Sequence, residues 1–193
     1  MQSIELQGQL RPTIGKTESK LTRVSGSIPC VLYGGTENVH FTIDEIAFSK
    51  VYITPIVYVV HLVIDGKTYK AIIKNIQFHP VTDKALHVDF YEIFDNKPFS
   101  IKLPVNIIGV SEGVKQGGKL QLKMRKIKVK GLLKDLPEVL DVDITKLGIG
   151  QSVKMDSLNY SNLTIEESKS AVVCSVNLTR SAARAMQQEG GKK

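Results

Sequence analysis

Short apolar segments separated by turn residues set the rhythm of this chain. Ile28 to Tyr33 is an apolar run stopped by Gly34-Gly35, and Val39 to Ile43 alternates apolar with polar positions up to Asp44. Alternation at period two buries one face of a strand and leaves the other outside, so both segments predict strands. Asp44 to Val51 reads instead as one or two helical turns with Asp44 as N-cap. Val57 to Ile64, the dipeptide Asp65-Gly66 and Lys67 to Ile73 then predict a hairpin closed by a type I′ turn. Leu86 to Glu92 adds a last strand. Together these segments fit a small barrel or sandwich of about 90 residues.

The polar break Asp95-Asn96-Lys97-Pro98 suits a domain boundary, giving a first domain over residues 1–94 and a second over 95–180. Beyond it Phe99 to Ile107 alternates, and Gly109 to Gly118 reads as a glycine-rich loop. Leu120, Leu122 and Met124 face one way, whereas Ile127 and Val129 follow the opposite parity. One extra residue near Arg125-Lys126, a bulge, accounts for that reversal. Further strands are expected at Val139 to Asp143, Ser152 to Met155 and Ala171 to Leu178. The Ala/Gln-rich stretch 181–193 is expected to be a flexible or frayed helical tail. The fold class is therefore mainly β: two β domains with short helices and a short C-terminal tail.

Composition narrows the chemistry. With 42% hydrophobic and 23% charged residues, the 193-residue chain has a globular balance. Its longest apolar run, Ile56 to Ile64, is interrupted by His61 and falls well short of the ~20 residues of a membrane span. The segment Met1 to Glu5 has neither the basic nor the apolar region of a secretory signal, so the cytoplasm is the default expectation. Cys30 and Cys174 each sit inside an apolar stretch and read as buried thiols, too few for a disulfide framework or a cysteine zinc site. Gly15-Lys16-Thr17 is like the end of a P-loop, but position 10 is Leu where the loop needs glycine. No nucleophile elbow is visible either. The expectation is a protein that is not an enzyme, with no cofactor, no metal, no membrane and no small-molecule substrate.

The net charge of +7 points to polyanionic partners, yet it is unevenly spread. Residues 1–93 hold nine Lys/Arg and nine Asp/Glu, residues 94–178 hold thirteen and nine, and residues 179–193 hold four and one. Locally the picture differs. If a helix starts near Thr17 and ends near Gly26, then Lys16, Lys20 and Arg23 share a face, with Arg11 upstream and Ser19 supplying a hydroxyl. Such a face neutralises phosphates; the alternative is an ordinary solvated helix surface. A second cluster is Gln77-Phe78-His79-Pro80 with His87-Val88-Asp89, where His87 and Asp89 share a strand face. Two imidazoles and a carboxylate are metal-capable, but the spacing fits no common metal pattern. Amide, imidazole and carboxylate on a β face suit base edges and 2′-hydroxyls in an RNA minor groove, against the alternative of satisfied surface polar groups.

These pieces, in this order and spacing, resemble the bacterial ribosomal protein family that binds 5S rRNA in the large subunit, its twenty-fifth protein, known also through the general stress protein Ctc. The resemblance rests on Arg11, Gly15-Lys16, Ser19, Lys20, Arg23, Pro29 through Gly35, Asp65-Gly66-Lys67, Gln77-Phe78-His79-Pro80 and His87-Val88-Asp89-Phe90. The second half is similar to the long two-domain form, through Leu103-Pro104-Val105, Gly113 to Gly118, Leu136-Pro137-Glu138 and Asp141 to Ile144. It implies an N-terminal six-stranded β-barrel bound to the loop E minor groove of 5S rRNA, other large-subunit components as further partners, and a second β domain. It also implies RNA contacts at Arg11, Lys16, Ser19, Lys20, Arg23, Tyr33, Gln77, His87 and Asp89. This chain departs from the family at Thr17-Glu18, at Lys20-Leu21 where arginines are usual, and at Phe78 where a basic residue is frequent. Fewer guanidinium forks mean weaker bidentate phosphate recognition. A stress-responsive RNA-binding regulator acting partly off the ribosome is the alternative function. The basic stretch Lys119 to Lys130 is expected as an additional contact to rRNA or acidic surfaces.

Overall fold

The structure, a computed structural model, describes residues 1–158, 160 and 162–180; the expected tail at 181–193 lies outside the described residues. Packing divides the chain into two compact units, one of Met1–Phe99 with Leu132–Glu138, the other of Ser100–Gly131 with Val139 onward.

The first unit contains β1 (Ser3–Leu10), α1 (Lys16–Val24), β2 (Ser27–Tyr33), β3 (Val39–Asp44), α2 (Glu45–Tyr52), β4 (Val59–Ile64), β5 (Lys67–Phe78) and β6 (Ala85–Glu92). Its six strands close into a barrel in the order β1-β3-β2-β6-β5-β4. Closure comes from β1, which pairs antiparallel with β3 (Gly8↔Ile43) and parallel with β4 (Ser3↔Val59 through Gly8↔Ile64). A barrel, rather than a sandwich, leaves no strand edge unpaired. The hydrophobic pattern alone overlooks β1, because Gln7, Gly8 and Gln9 dilute the alternation of Ile4 and Leu6.

The barrel core is built from alternate strand positions. Ile28, Cys30 and Leu32 of β2, Phe41 and Ile43 of β3, Leu62 of β4 and Val88 and Phe90 of β6 are all buried. The rings of Phe41 and Phe48 lie 5.7 and 6.3 Å from that of Phe90. Phe48 and Val51 come from α2, which packs into this core and starts as expected, with the Asp44 carboxylate accepting from the Ala47 N–H at 2.9 Å. The β4–β5 turn has φ of 46° at Asp65 and 80° at Gly66, the paired left-handed conformation of a type I′ turn. Strand β5 does not stop at Ile73 but continues to Phe78. Its pairing with β6 steps from Ile73↔Phe90 to Asn75↔Asp89, so Lys74 is the extra residue of a bulge.

The second unit contains β7 (Phe99–Ile108), α3 (Glu112–Lys115), β8 (Lys119–Leu122), β9 (Lys126–Gly131), β10 (Leu140–Asp143), β11 (Ser152–Lys154), β12 (Thr164–Ile165) and β13 (Val172–Asn177). They form a four-stranded sheet, β10-β7-β9-β12, and a three-stranded sheet, β11-β13-β8. Leu103, Ile127, Val129, Leu140, Val173 and Val176 are its buried core. The parity reversal near Arg125 is thus not a bulge within one strand. The chain changes sheets: the N–H groups of Lys123 and Met124 still donate to Val173 O, and then Arg125 O accepts from Val105 N–H on the other sheet. Nor is 109–118 wholly loop, since Ser111 caps the short α3. A Cβ on Gly113 would sit 2.6 Å from the backbone of Gly148 and Ile149, which explains a glycine there by close approach.

Both cysteines are free and buried, and burial pushes both thiols up, away from the reactive thiolate. Among the described residues no helix is long and apolar enough to cross a membrane.

Candidate nucleic-acid interface

Strand register determines which polar groups meet on the outside of the barrel. In β6 the buried Val88 and Phe90 alternate with half-buried His87, Asp89 and Tyr91, which therefore point outward. Asp89 is aligned on one side with Val31 of β2 and on the other with Asn75 of β5. Val31 in turn pairs with His40 of β3, and the His40 carbonyl accepts from the Arg11 N–H just past the end of β1. Arg11, His40, Val31, Asp89 and Asn75 thus form a single outward row across the barrel. At roughly 4.8 Å per strand spacing it is about 19 Å long. Beside it, Gln77 pairs with His87 and Tyr33 with Tyr91.

The local chemistry of this face is mixed. His87 Nδ1 lies 3.0 Å from Asp89 Oδ1, the side chains being 30% and 25% exposed, but it makes no aligned hydrogen bond and has no other partner among the described residues. The Tyr33 ring stands edge-on to Tyr91 at 5.7 Å. Partial desolvation, then the Asp89 carboxylate and Tyr91, push the Tyr33 phenol above its ordinary value, so it is an O–H donor at neutral pH. Lys74, on the bulge, places its ammonium 5.6 Å from the Tyr91 ring centre.

Helix α1 brings the cations to the same face. Lys16, Ser19, Lys20 and Arg23 occupy positions i, i+3, i+4 and i+7 and share one side, while Glu18 falls about 200° around from Lys16. Two contacts tie that side to the barrel: Arg11 Nη2 donates to Ser19 Oγ at 3.3 Å, and Arg23 Nε donates to the Leu86 carbonyl at 3.0 Å. Lys16 and Lys20 are exposed. Among the described residues none of the four cations is in an ion pair. Unpaired cations beside a face of donors and acceptors can hold phosphates while the face reads what lies between them.

The structure assigns His79 a different role from the neighbouring cluster. Its Nδ1 accepts from the N–H groups of Val81 and Thr82 at 3.3 and 3.2 Å, pegging the loop between β5 and β6. No group of three or more metal-capable side chains exists among the described residues. Phe78, a departure from the family pattern, packs its ring 5.3 Å from Tyr52 of α2. His40 and Asn75 escaped the sequence pattern because only the register places them beside Arg11 and Asp89. The basic stretch Lys119 to Lys130 is not one strand: Lys119 lies on β8 and Lys126, Lys128 and Lys130 on β9, in different sheets. Lys128 is already held by Glu166 at 2.8 Å.

Comparison with known proteins accounts for nearly the whole chain. Residues 6–90 match the Ribosomal L25p family, and residues 98–180 match the C-terminal domain of ribosomal protein TL5. Relatives named large ribosomal subunit protein bL25 are similar throughout. One from Bacteroides fragilis is 49% identical over 198 residues, covering 100% of both chains. One from Bacteroides thetaiotaomicron is 48% identical over 198 residues with the same full coverage. One from Porphyromonas gingivalis is 44% identical over 184 residues, covering 94% of this chain and 96% of the relative. With the barrel and its basic helix matched as one segment over residues 6–90, the second domain matched over 98–180, and relatives similar along the full length, the chain belongs to the Ribosomal L25p family of structural, non-enzymatic ribosomal proteins.

Proposed function

We propose that this protein is a structural component of the bacterial large ribosomal subunit, working in the cytoplasm, and that residues 1–94 bind 5S rRNA along the loop E minor groove. The observation that carries this is the joining of α1 to the barrel face by Arg11–Ser19 and Arg23–Leu86, which sets the α1 cations beside a largely polar outward row of side chains. A-form RNA offers a wide, shallow minor groove lined by 2′-hydroxyls and base edges, flanked by phosphates. Lys16, Lys20 and Arg23 meet phosphates. Arg11 and Ser19 fix the helix against the barrel and face the same backbone. Tyr33 donates, Asp89 accepts, and Gln77 and His87 do either, so these four serve hydroxyls and base edges. Residues 95–180 form the second domain, whose partners are other components of the subunit.

Chemical footprinting of purified 5S rRNA with and without the full chain tests this. Protection confined to the loop E minor groove and its flanking phosphates is expected. Protection elsewhere, or none at low salt, contradicts it. Sedimentation in high salt separates a resident subunit protein, which co-migrates with large subunits, from a regulator that acts off the ribosome.

A further inference from the structure

We propose that His40 of β3 is a further RNA-contacting residue, extending the reading face into the space between the Arg11 cation and the Asp89 carboxylate; this rests on the RNA-binding function proposed above. His40 is separated from Arg11 by a single backbone hydrogen bond, His40 O accepting from Arg11 N–H at 3.0 Å. On the next strand it pairs with Val31, which pairs with Asp89. Its side chain points outward, because the adjoining Phe41 is fully buried and strand neighbours alternate. It is half-buried, and none of the described residues engages its imidazole.

The chemistry matches the groove. A neutral imidazole presents one donor and one acceptor, and a 2′-hydroxyl likewise donates and accepts. An RNA strand lying along the row with a phosphate on Arg11 and a polar edge on Asp89 must cross β3 and β2. Val31 offers only an apolar surface there, suited to the face of a ribose, so His40 is the one polar side chain that this part of the row supplies. Sequence inspection does not single out His40: it lies 29 positions from Arg11 and 49 from Asp89, and adjacency exists only through the barrel register.

The test is titration of the full-length His40→Ala and His40→Gln proteins against purified 5S rRNA and an unrelated RNA duplex, at several salt concentrations, with Arg11→Ala as reference. His40→Ala is expected to weaken 5S rRNA binding about 3- to 10-fold, the span of a single net hydrogen bond, while sparing the unrelated duplex. Its slope of log affinity against log salt should equal that of the unaltered protein, because a hydrogen bond to a hydroxyl, unlike an ion pair with a phosphate, releases no counterion. His40→Gln, which keeps a donor and an acceptor, should recover most of the loss; it also carries the test if the Ala variant melts early. Unchanged binding by His40→Ala alongside weakened binding by Arg11→Ala would overturn the proposal and leave the RNA-binding function standing. Equal losses on both RNAs also overturn it. If the unaltered protein itself fails to bind 5S rRNA, the parent assignment falls first.

Discussion

The two halves of this molecule carry charge in opposite ways. Residues 1–93 are balanced, nine cations against nine carboxylates, whereas residues 94–178 hold an excess of four cations. Net charge would place a polyanion on the second half. Geometry favours the first. Arg11, Lys16, Lys20 and Arg23 gather on one side of a barrel without ion pairs among the described residues, next to a row of uncharged and acidic groups. In the second half the cations of Lys119 to Lys130 are dealt onto two sheets, and Lys128 is held by Glu166, which also accepts from Ser100 Oγ at 2.7 Å. Affinity for a folded RNA follows from how many charges can reach phosphates together and what stands between them, so local arrangement outweighs the sum.

Phe41 is fully buried in the barrel core. Phe41→Ala should cost about 3–5 kcal/mol of barrel stability. Heat or denaturant unfolding should show a first transition shifted down and a second one in place, and a shift of both by the same amount would deny the two halves separate cores. Next in size, Asp89→Ala should reduce discrimination between 5S rRNA and an unrelated duplex by roughly 1–3 kcal/mol, by analogy with groups that read base edges. Lys16→Ala should instead weaken binding to both RNAs alike and lower the salt slope by about 0.9, the share of one phosphate contact. Indistinguishable effects from Asp89→Ala and Lys16→Ala would erase the separation of reading from charge.

The smallest effect belongs to the second half. Hydrogen bonds from Lys128 and Ser100 hold the Glu166 carboxyl below its ordinary value of 4.5. The folded state therefore releases this proton more readily than the unfolded chain, and the group stabilises the fold fully above that ordinary value. The contribution fades as pH falls through the lower, folded value. Melting temperature measured from pH 6 to pH 3 should fall less steeply for Glu166→Gln than for the unaltered protein. Parallel pH profiles would mean that the Lys128–Glu166 contact carries no linkage.

What was legible in the sequence was whatever is encoded locally. The hairpin at Asp65-Gly66, the Asp44 cap and the cationic side of α1 depend on neighbours within a few positions, and all are where the pattern puts them. What was not legible depends on partners distant in sequence. β1 carries Gly8 and two glutamines, and only its pairing with both β3 and β4 makes it a strand of a closed barrel. The reversal at Arg125 looks the same in sequence whether a strand bulges or the chain changes sheets. His79 has the composition of a site residue yet serves a loop, because its Nδ1 faces two backbone N–H groups of the next residues. His40 and Asn75 join the row solely through register. Strand β5 runs past the expected end at Ile73 to Phe78, and that extra length makes Gln77 a direct cross-strand neighbour of His87.

The central claim, that RNA is held by the barrel face and α1 rather than by the more basic half, is tested most directly by two charge-deletion variants of the full chain. One carries Arg11→Ala, Lys16→Ala, Lys20→Ala and Arg23→Ala; the other carries Lys119→Ala, Lys123→Ala, Lys126→Ala and Lys130→Ala. Each removes the same formal charge. The affinity of each for 5S rRNA is measured across a salt series. The first variant should lose most of the binding and flatten the salt dependence, and the second should bind 5S rRNA nearly as the unaltered protein does. Retained binding by the first together with collapse of the second would contradict the account.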